Sequence, residues 1–133
     1  MIVLDASAVL DGLLDTAANP DLTACLAGTG EPLAAPDLLD VEVSSVLRRW
    51  ERRGEISSSR AQQALQDLQR LPVIRYPARA LLDRAWKLRH NLTAYDAQYV
   101  ALTQALPGKL LTSDQRMAAA ATAAHVVIAQ PRP

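Results

Sequence analysis

Short apolar runs alternate with helix-patterned segments from one end of the chain to the other. The opening run Ile2-Val3-Leu4 is typical, because it is too short for a helix and is apolar on both faces. Strands of that kind belong to parallel sheets with both faces covered, and parallel strands need long crossovers, usually helical. The alternation therefore predicts an α/β fold with three layers, α/β/α, around a mainly parallel sheet of about four or five short strands.

Turn and capping residues set the expected bounds of the elements. Asp37 is a suitable N-cap residue, Gly54 is placed to end that helix, and the run Ser57-Ser58-Ser59 opens the next one. The predicted strands are 1–4, 32–36, 73–75, 109–111 and 125–128. The predicted helices are 7–14, a segment reaching 26 after the break at 19–21, 37–53, 57–71, 77–89, 93–106 and 114–124. We expect one domain over residues 1–133 with a loose tail at 130–133.

Composition narrows the class of protein. The formal net charge is zero, so attraction to a polyanion would have to come from a local patch. Cys25 is the only cysteine, which excludes an internal disulfide and fits a reducing compartment. No export signal or membrane-length apolar run is present, so we expect a cytoplasmic protein with no membrane partner. Without Phe, the core is expected to use Trp50, Trp86, Tyr95 and Tyr99 as its large rings.

Four acidic residues fall where apolar runs meet helices: Asp5, Glu42, Asp96 and Asp114. In an open parallel sheet, ligands bind outside the carboxyl ends of the strands. If the chain folds as predicted, the four carboxylates meet at that edge. Clustered carboxylates repel one another, and a hard divalent cation such as Mg²⁺ or Mn²⁺ relieves the repulsion. The pattern therefore predicts a metal-dependent hydrolase.

Each acid also has a purely structural explanation. Asp5 and Asp114 are placed to cap the helices that follow them. Asp96 lies three residues after Thr93, as in a capping box, and Glu42 suits the solvated rim of its helix. What capping does not explain is that all four fall where one rim of the sheet is expected.

Four segments resemble the acidic motifs of a known family: Val3-Leu4-Asp5-Ala6-Ser7-Ala8, Pro36-Asp37-Leu38-Leu39-Asp40-Val41-Glu42-Val43, Leu92-Thr93-Ala94-Tyr95-Asp96-Ala97 and Leu111-Thr112-Ser113-Asp114. In order and length they are similar to PIN-domain ribonucleases of the VapC type, the toxins of bacterial toxin–antitoxin pairs. The resemblance covers essentially the whole chain. It implies a PIN-like fold, Mg²⁺- or Mn²⁺-dependent cleavage of RNA, a homodimer and an antitoxin partner.

The resemblance also implies roles for individual residues. In the second segment Asp40 and Glu42 compete for the acidic role, and Glu42 is preferred because it projects closer to the apolar face. Our hypothesis is that Asp5 and Asp96 bind the principal metal, with one or two ions acting. The remaining expected site residues are Glu42 and Asp114 in a second or water-mediated shell, Ser7 and Thr112 as hydrogen-bonding support, and Arg116 for phosphate.

Other interpretations stay open. A non-catalytic interaction module on the same fold is the main alternative, and a nuclease acting on DNA is chemically equivalent at the metal site. A phosphate-transfer protein with a strand-end aspartate is less suitable, because no second acid lies two residues after Asp5. A basic cluster ends the helix predicted over 37–53: Arg48, Arg49, Arg52 and Arg53. We interpret it as solvated charge placed favourably near a helix C-terminus, with contact to the RNA backbone or an antitoxin as the alternative.

Overall fold

The computed structural model describes residues 1–14, 30–124 and 126–128. Its strands are β1 Ile2–Leu4, β2 Leu33–Pro36, β3 Val73–Tyr76, β4 Lys109–Leu111 and β5 Val127–Ile128. Its α-helices are α1 Ala6–Leu14, α2 Leu39–Arg52, α3 Ser58–Arg70, α4 Leu82–Trp86, α5 Ala94–Ala105 and α6 Gln115–Ala123, with a 3-10 turn at Ala78–Leu81. The helix predicted to reach residue 26, His125 and the tail at 130–133 fall outside the described residues.

The described strands form one sheet in the order β3-β2-β1-β4-β5, and every pairing is parallel. β1 lies at the centre, and its residues Ile2, Val3 and Leu4 are all buried. Such a position suits a strand that is apolar on both faces. The predicted parallel α/β sheet is confirmed, with five strands in the described part of the chain.

The direction of the crossovers explains the three layers. Parallel crossovers are right-handed, so a run from β1 through β2 to β3 keeps its helices on one face. On that face α1, α2 and α3 contact one another. The chain then returns across the sheet to β4, which puts the next helices on the opposite face, and there α5 packs against β1, β2 and β4. The predicted α/β/α arrangement is confirmed.

The N-termini of α3 and α2 differ in how they are capped. Ser57 caps α3, its hydroxyl accepting from the Arg60 N–H at 3.1 Å. Asp37 was expected to cap α2 in the same way, and that prediction is wrong. The residue at the cap position is Leu38, which makes no side-chain cap bond, while the Asp37 carboxylate accepts from the Ala78 N–H at 3.1 Å. Its side chain ties two loops together, a contact made 41 positions away.

The helix predicted over 77–89 is shorter than expected. It is a 3-10 turn followed by α4, and it ends at Trp86. After that point the N–H groups of Leu88 and Arg89 bond to carbonyls three residues back, at 2.9 and 3.2 Å. The Arg89 side chain also donates to the Trp86 carbonyl at 2.9 Å, so a side chain satisfies the end of the helix.

The aromatic residues divide between core and surface. Tyr99 is buried and Trp50 is partly buried against the core, as predicted. Trp86 and Tyr95 are 66% and 65% exposed, so their predicted place in the core is wrong. The Arg89 guanidinium lies over the Trp86 ring at 4.7 Å. None of the helices in the described part of the chain has the length and apolarity needed to cross a membrane.

The approach of Gly108 to the first residue gives a test of how β1 and β4 are held. A Cβ at Gly108 would lie 2.9 Å from the Met1 carbonyl oxygen, which also accepts from the Lys109 N–H at 3.1 Å. We expect Gly108→Ala to lower the free energy of unfolding by about 2 kcal/mol, because backbone atoms must shift. Chemical denaturation would measure the loss.

Gly54→Ala is the matched control. Gly54 has a φ of 72° and nothing within 4 Å of an added Cβ. We expect it to lose only about 1 kcal/mol, from the left-handed backbone alone. Equal stability of Gly108→Ala and the parent chain would contradict the close packing of the two central strands.

Candidate active site

Pairing of the two central strands places Asp5 beside Thr112. Leu4 at the end of β1 is in register with Leu111 at the end of β4, so the next residues of both strands leave the sheet side by side. The Asp5 N–H donates to the Leu111 carbonyl at 3.2 Å. Residues 107 positions apart in sequence therefore meet at the carboxyl edge of the sheet.

Asp5 is held by donors on both carboxylate oxygens. Its Oδ1 accepts from the Ser7 hydroxyl at 2.7 Å and from the Ala8 N–H at 3.0 Å, and its Oδ2 accepts from the Thr112 hydroxyl. The side chain is only 4% exposed, and burial raises its pKa although these donors oppose the shift. Oδ1 has used both of its lone pairs, while Oδ2 keeps one for a further partner.

The segment after β4 is tied to the same hydroxyl groups. The Asp114 N–H donates to the Thr112 hydroxyl at 3.0 Å, and the Ser113 N–H donates to the Ser7 hydroxyl at 3.0 Å. Ser113 also donates to the carboxylate of Asp11 on α1, a contact that the sequence analysis did not anticipate. Ser7 and Thr112 thus link β1, α1 and the start of α6 into one rigid corner.

Asp114 is the N-cap of α6, so the capping explanation for this residue is right. Its Oδ1 accepts from the N–H groups of Arg116 and Met117 at 2.9 and 3.3 Å. Capping uses one oxygen only, and the exposed side chain keeps Oδ2 for another contact. A capping role and a role in the site are therefore compatible.

Asp96 lies in the first turn of α5, on the other face of the sheet. Thr93 caps this helix by accepting from the Asp96 N–H at 3.1 Å. The pKa of Asp96 is raised by burial and by the charge of Asp114, while Thr93 and Arg116 lower it. The carboxylate is therefore within electrostatic reach of Asp114 and of the Arg116 guanidinium, both near the start of α6.

The structure separates the two acids of α2. Asp40 accepts from Arg75 Nε at 2.8 Å and from Nη2 at 2.9 Å, a two-pronged ion pair that turns it away from the other carboxylates. Glu42 is influenced by the charges of Asp96 and Asp5, and its buried Oε1 has no hydrogen-bond partner among residues 1–14, 30–124 and 126–128. Burial first, then the charges of Asp96 and Asp5, raise its pKa to about 7.

The four carboxylates form a closed ring of electrostatic neighbours. Asp5 senses the charge of Asp114, Glu42 senses Asp5 and Asp96, and Asp96 senses Asp114. Asp5 and Asp96 are therefore each flanked by the other two acids. Burial and these charges raise the pKa values of Asp5, Glu42 and Asp96.

Tyr99 is a member of the site that the sequence analysis assigned only to the core. It is 1% exposed, and its buried hydroxyl has no hydrogen-bond partner in the described part of the chain. Burial, followed by the charges of Glu42, Asp5 and Asp96, raises its pKa. The hydroxyl lies near Glu42 and lowers that residue's pKa, although the two do not meet in good hydrogen-bond geometry. Tyr99 lies three residues after Asp96, and residues at this spacing share one side of a helix. This spacing is the sequence signal that could have placed Tyr99 in the site.

The donor set fits a hydrated hard cation. Asp5 and Asp114 each keep a carboxylate oxygen with a spare lone pair, and Glu42 Oε1 has no hydrogen-bond partner within the described residues. No three acidic, histidine or cysteine side chains of residues 1–14, 30–124 and 126–128 stand close enough to ligate one ion directly. Mg²⁺ takes only one or two carboxylates and keeps several waters, so this looser arrangement matches its chemistry.

The raised pKa of Glu42 predicts how stability depends on pH without added metal. In the folded chain Glu42 keeps its proton up to about pH 7, whereas in the unfolded chain it titrates near 4.5. The stabilisation that comes from protonated Glu42 is therefore fully present below pH 4.5 and is lost as the pH rises through about 7. We expect a loss of about 1–2 kcal/mol between these limits, after allowing for partial exposure.

Glu42→Gln removes this titration and should flatten the pH dependence measured by denaturation in EDTA. Glu51→Gln, an exposed site on the same helix, is the control and should keep the slope of the parent chain. Identical slopes for all three proteins would show that Glu42 does not titrate in this range.

Comparison with known proteins agrees with the geometry. The PIN domain family model matches residues 2–123. VapC ribonuclease Mb0985 of Mycobacterium bovis is 42% identical over 132 residues, covering 99% of this chain and 100% of the relative.

Two solved structures share the fold. One is VapC20 of Mycobacterium tuberculosis, described as a sarcin-ricin loop cleaving toxin, with a TM-score of 0.66, 19% identity and coverage of 98% of this chain and 100% of that chain. The other is a toxin–antitoxin complex from Klebsiella pneumoniae, with a TM-score of 0.59, 15% identity and coverage of 86% and 87%. The resemblance seen in the four acidic segments is thereby confirmed, and the chain belongs to the PIN domain family, among its VapC-type ribonucleases.

Proposed function

We propose that this chain is a metal-dependent endoribonuclease, the toxin of a VapBC-type toxin–antitoxin pair, acting on RNA in the cytoplasm. The observation that carries the proposal is the ring of four carboxylates at the carboxyl edge of the sheet, where no described residue bonds to Glu42 Oε1. The relative named VapC ribonuclease, at 42% identity over nearly the whole chain, supports RNA as the substrate.

Asp5 and Asp96 are the residues that would hold the cation, Mg²⁺ or Mn²⁺. When bound, such an ion activates a water and neutralises charge that develops on the phosphate. Asp5 is suited to this place because three donors fix its orientation while Oδ2 keeps a lone pair. Ser7 and Thr112 therefore act as positioning residues, holding a charge that burial would otherwise disfavour.

Glu42 and Asp114 flank both Asp5 and Asp96 and would orient waters between the ion and the phosphate. Tyr99 is placed to donate to Glu42 once that carboxylate is charged, which would hold it toward the ring. Arg116 is exposed beside Asp96 and suits a contact with the phosphate. In the reaction, water oxygen bonds to phosphorus, a bridging P–O bond breaks, and a proton passes to the leaving oxygen.

The proposed partners are an antitoxin protein and a second copy of the chain. Leu82 and Trp86 suit the second role, since they are 55% and 66% exposed and lie four residues apart on α4. Large apolar side chains left together on a surface commonly mark a protein interface. We propose that α4 contributes to a homodimer contact.

Substitution of the ring acids tests the proposed activity. Asp5→Asn and Asp96→Asn should each lower RNA cleavage by at least about a hundredfold, because the cation loses a charged ligand. Circular dichroism should show that both variants stay folded. Cleavage should also stop in EDTA and return with Mg²⁺ or Mn²⁺. Full activity of either purified variant would reject the assignment.

The two acids of α2 supply a matched comparison. Glu42→Gln should lower cleavage strongly, whereas Asp40→Asn should keep it, because Asp40 is engaged by Arg75 outside the ring. The reverse result would assign the acidic role to Asp40.

Trp86→Glu tests the dimer. A charge in place of the exposed ring should shift the chain toward the monomer in light scattering, while cleavage by each chain remains measurable. Asp83→Asn on the same helix is the control, since it leaves the apolar pair intact. An unchanged dimer in Trp86→Glu would place the interface elsewhere.

A further inference from the structure

The C-terminal half of α2 and its C-cap residue Arg53 carry four exposed arginines that the site described above does not use. Arg48, Arg49, Arg52 and Arg53 line, together with Ser45, a shallow depression of about 510 Å³. We call this the arginine surface. Four of the 14 basic residues of the chain thus fall within six consecutive positions, although the net charge of the whole chain is zero.

The arginine surface is in line with the acidic ring. At about 3.6 residues per turn, Arg49 and Arg53 fall within about 20° of Glu42 around the helix axis. They lie about 10 Å and 16 Å farther along that axis, at about 1.5 Å per residue. Ser45, which lines the same depression, is one turn from Glu42 and is exposed. A strand leaving the ring along α2 would therefore pass over the arginines.

The phosphates that flank the scissile phosphate need positive charge close to them. A bound cation and Arg116 can offset charge at the scissile phosphate, but the neighbouring phosphates of a longer strand still meet an acidic ring. A protein with zero net charge gains no general attraction for a polyanion, so flanking phosphates need local cations. Guanidinium groups suit this task because their fork of donors matches phosphate oxygens.

Favourable placement near a helix C-terminus explains only part of the cluster. Arg49 and Arg52 lie in the last turn of α2, where the helix dipole stabilises positive charge, but Arg48 lies before it. Among the described residues, no carboxylate forms an ion pair with any of the four arginines. All four side chains are exposed.

We propose that the arginine surface binds the sugar–phosphate backbone of the RNA strand on one side of the cleaved bond. The proposal rests on the proposed nuclease function, because it takes the acidic ring as the place of the scissile phosphate. It assigns no base recognition to these residues, since contacts to phosphate fix register without reading sequence.

The test measures RNA binding at several salt concentrations. A labelled single-stranded RNA is titrated with Asp5→Asn, and then with Asp5→Asn that also carries Arg49→Gln and Arg53→Gln. We expect the arginine variant to bind about tenfold more weakly at low salt, and the slope of log affinity against log salt to become shallower by about 1.4, for two lost phosphate contacts. The control adds Arg79→Gln and Arg84→Gln, exposed residues outside α2 that remove the same charge, and should keep the parent slope.

Each outcome is decisive. Unchanged slope and affinity in the Arg49 and Arg53 variant would overturn the proposal, and so would an equal loss in the control, which would indicate a general charge effect. If the variant keeps RNA binding but loses binding to the antitoxin protein, the surface recognises protein and the proposal is wrong.

Cleavage of RNA by the parent chain, measured separately, distinguishes the two proposals. Cleavage together with an unchanged slope rejects the arginine surface alone. No cleavage by the parent, with the slope altered as expected, rejects the nuclease function alone.

Discussion

Parallel hydrogen bonding between β1 and β4 is the constraint on which the site depends. It joins the first strand of the chain to one more than a hundred positions away, and its register sets Asp5 beside Thr112. The same pairing requires Gly108 to approach the Met1 carbonyl closely, which leaves no room for a side chain. Once these strands are aligned, hydroxyl groups on either side of the seam hold Asp5 at the edge of the sheet.

Folding brings the carboxylates of the acidic ring close enough to repel one another. Burial and mutual repulsion raise the pKa values of Asp5, Glu42 and Asp96, so the folded chain resists the charged state of its own site. A site of this kind is stabilised when a cation enters, because the ion replaces repulsion by attraction. The same repulsion that lowers the stability of the fold without a cation therefore favours the binding of one. Arg75 removes Asp40 from this competition and keeps the ring limited to four acids.

Much of the fold follows from local pattern. The buried run of β1, the serine run that opens α3 and the glycine after α2 each act over a few residues, and each is found where it was predicted. Predictions were wrong where a distant contact competes with a local one. Asp37 had the right residue type for a cap, yet Ala78 offers its N–H from across a loop. Trp86 follows the buried Ala85 on α4, but one step along a helix turns the side chain by about 100°, and the ring lies on the exposed side with Leu82.

For the site, residue type and order alone pointed to the acids and to the family, because carboxylates are hard oxygen donors and all four fall near the carboxyl edge of the predicted sheet. Residue spacing could not choose firmly between Asp40 and Glu42, which lie two positions apart on one helix. Arg75 on β3 decides between them, because its ion pair with Asp40 keeps that acid out of the ring. Nor could spacing tell that Tyr99 lies within reach of the charges of Asp5 and Glu42, which come from distant parts of the sequence. Charge interactions act through space, and only the packed chain decides which charges become neighbours.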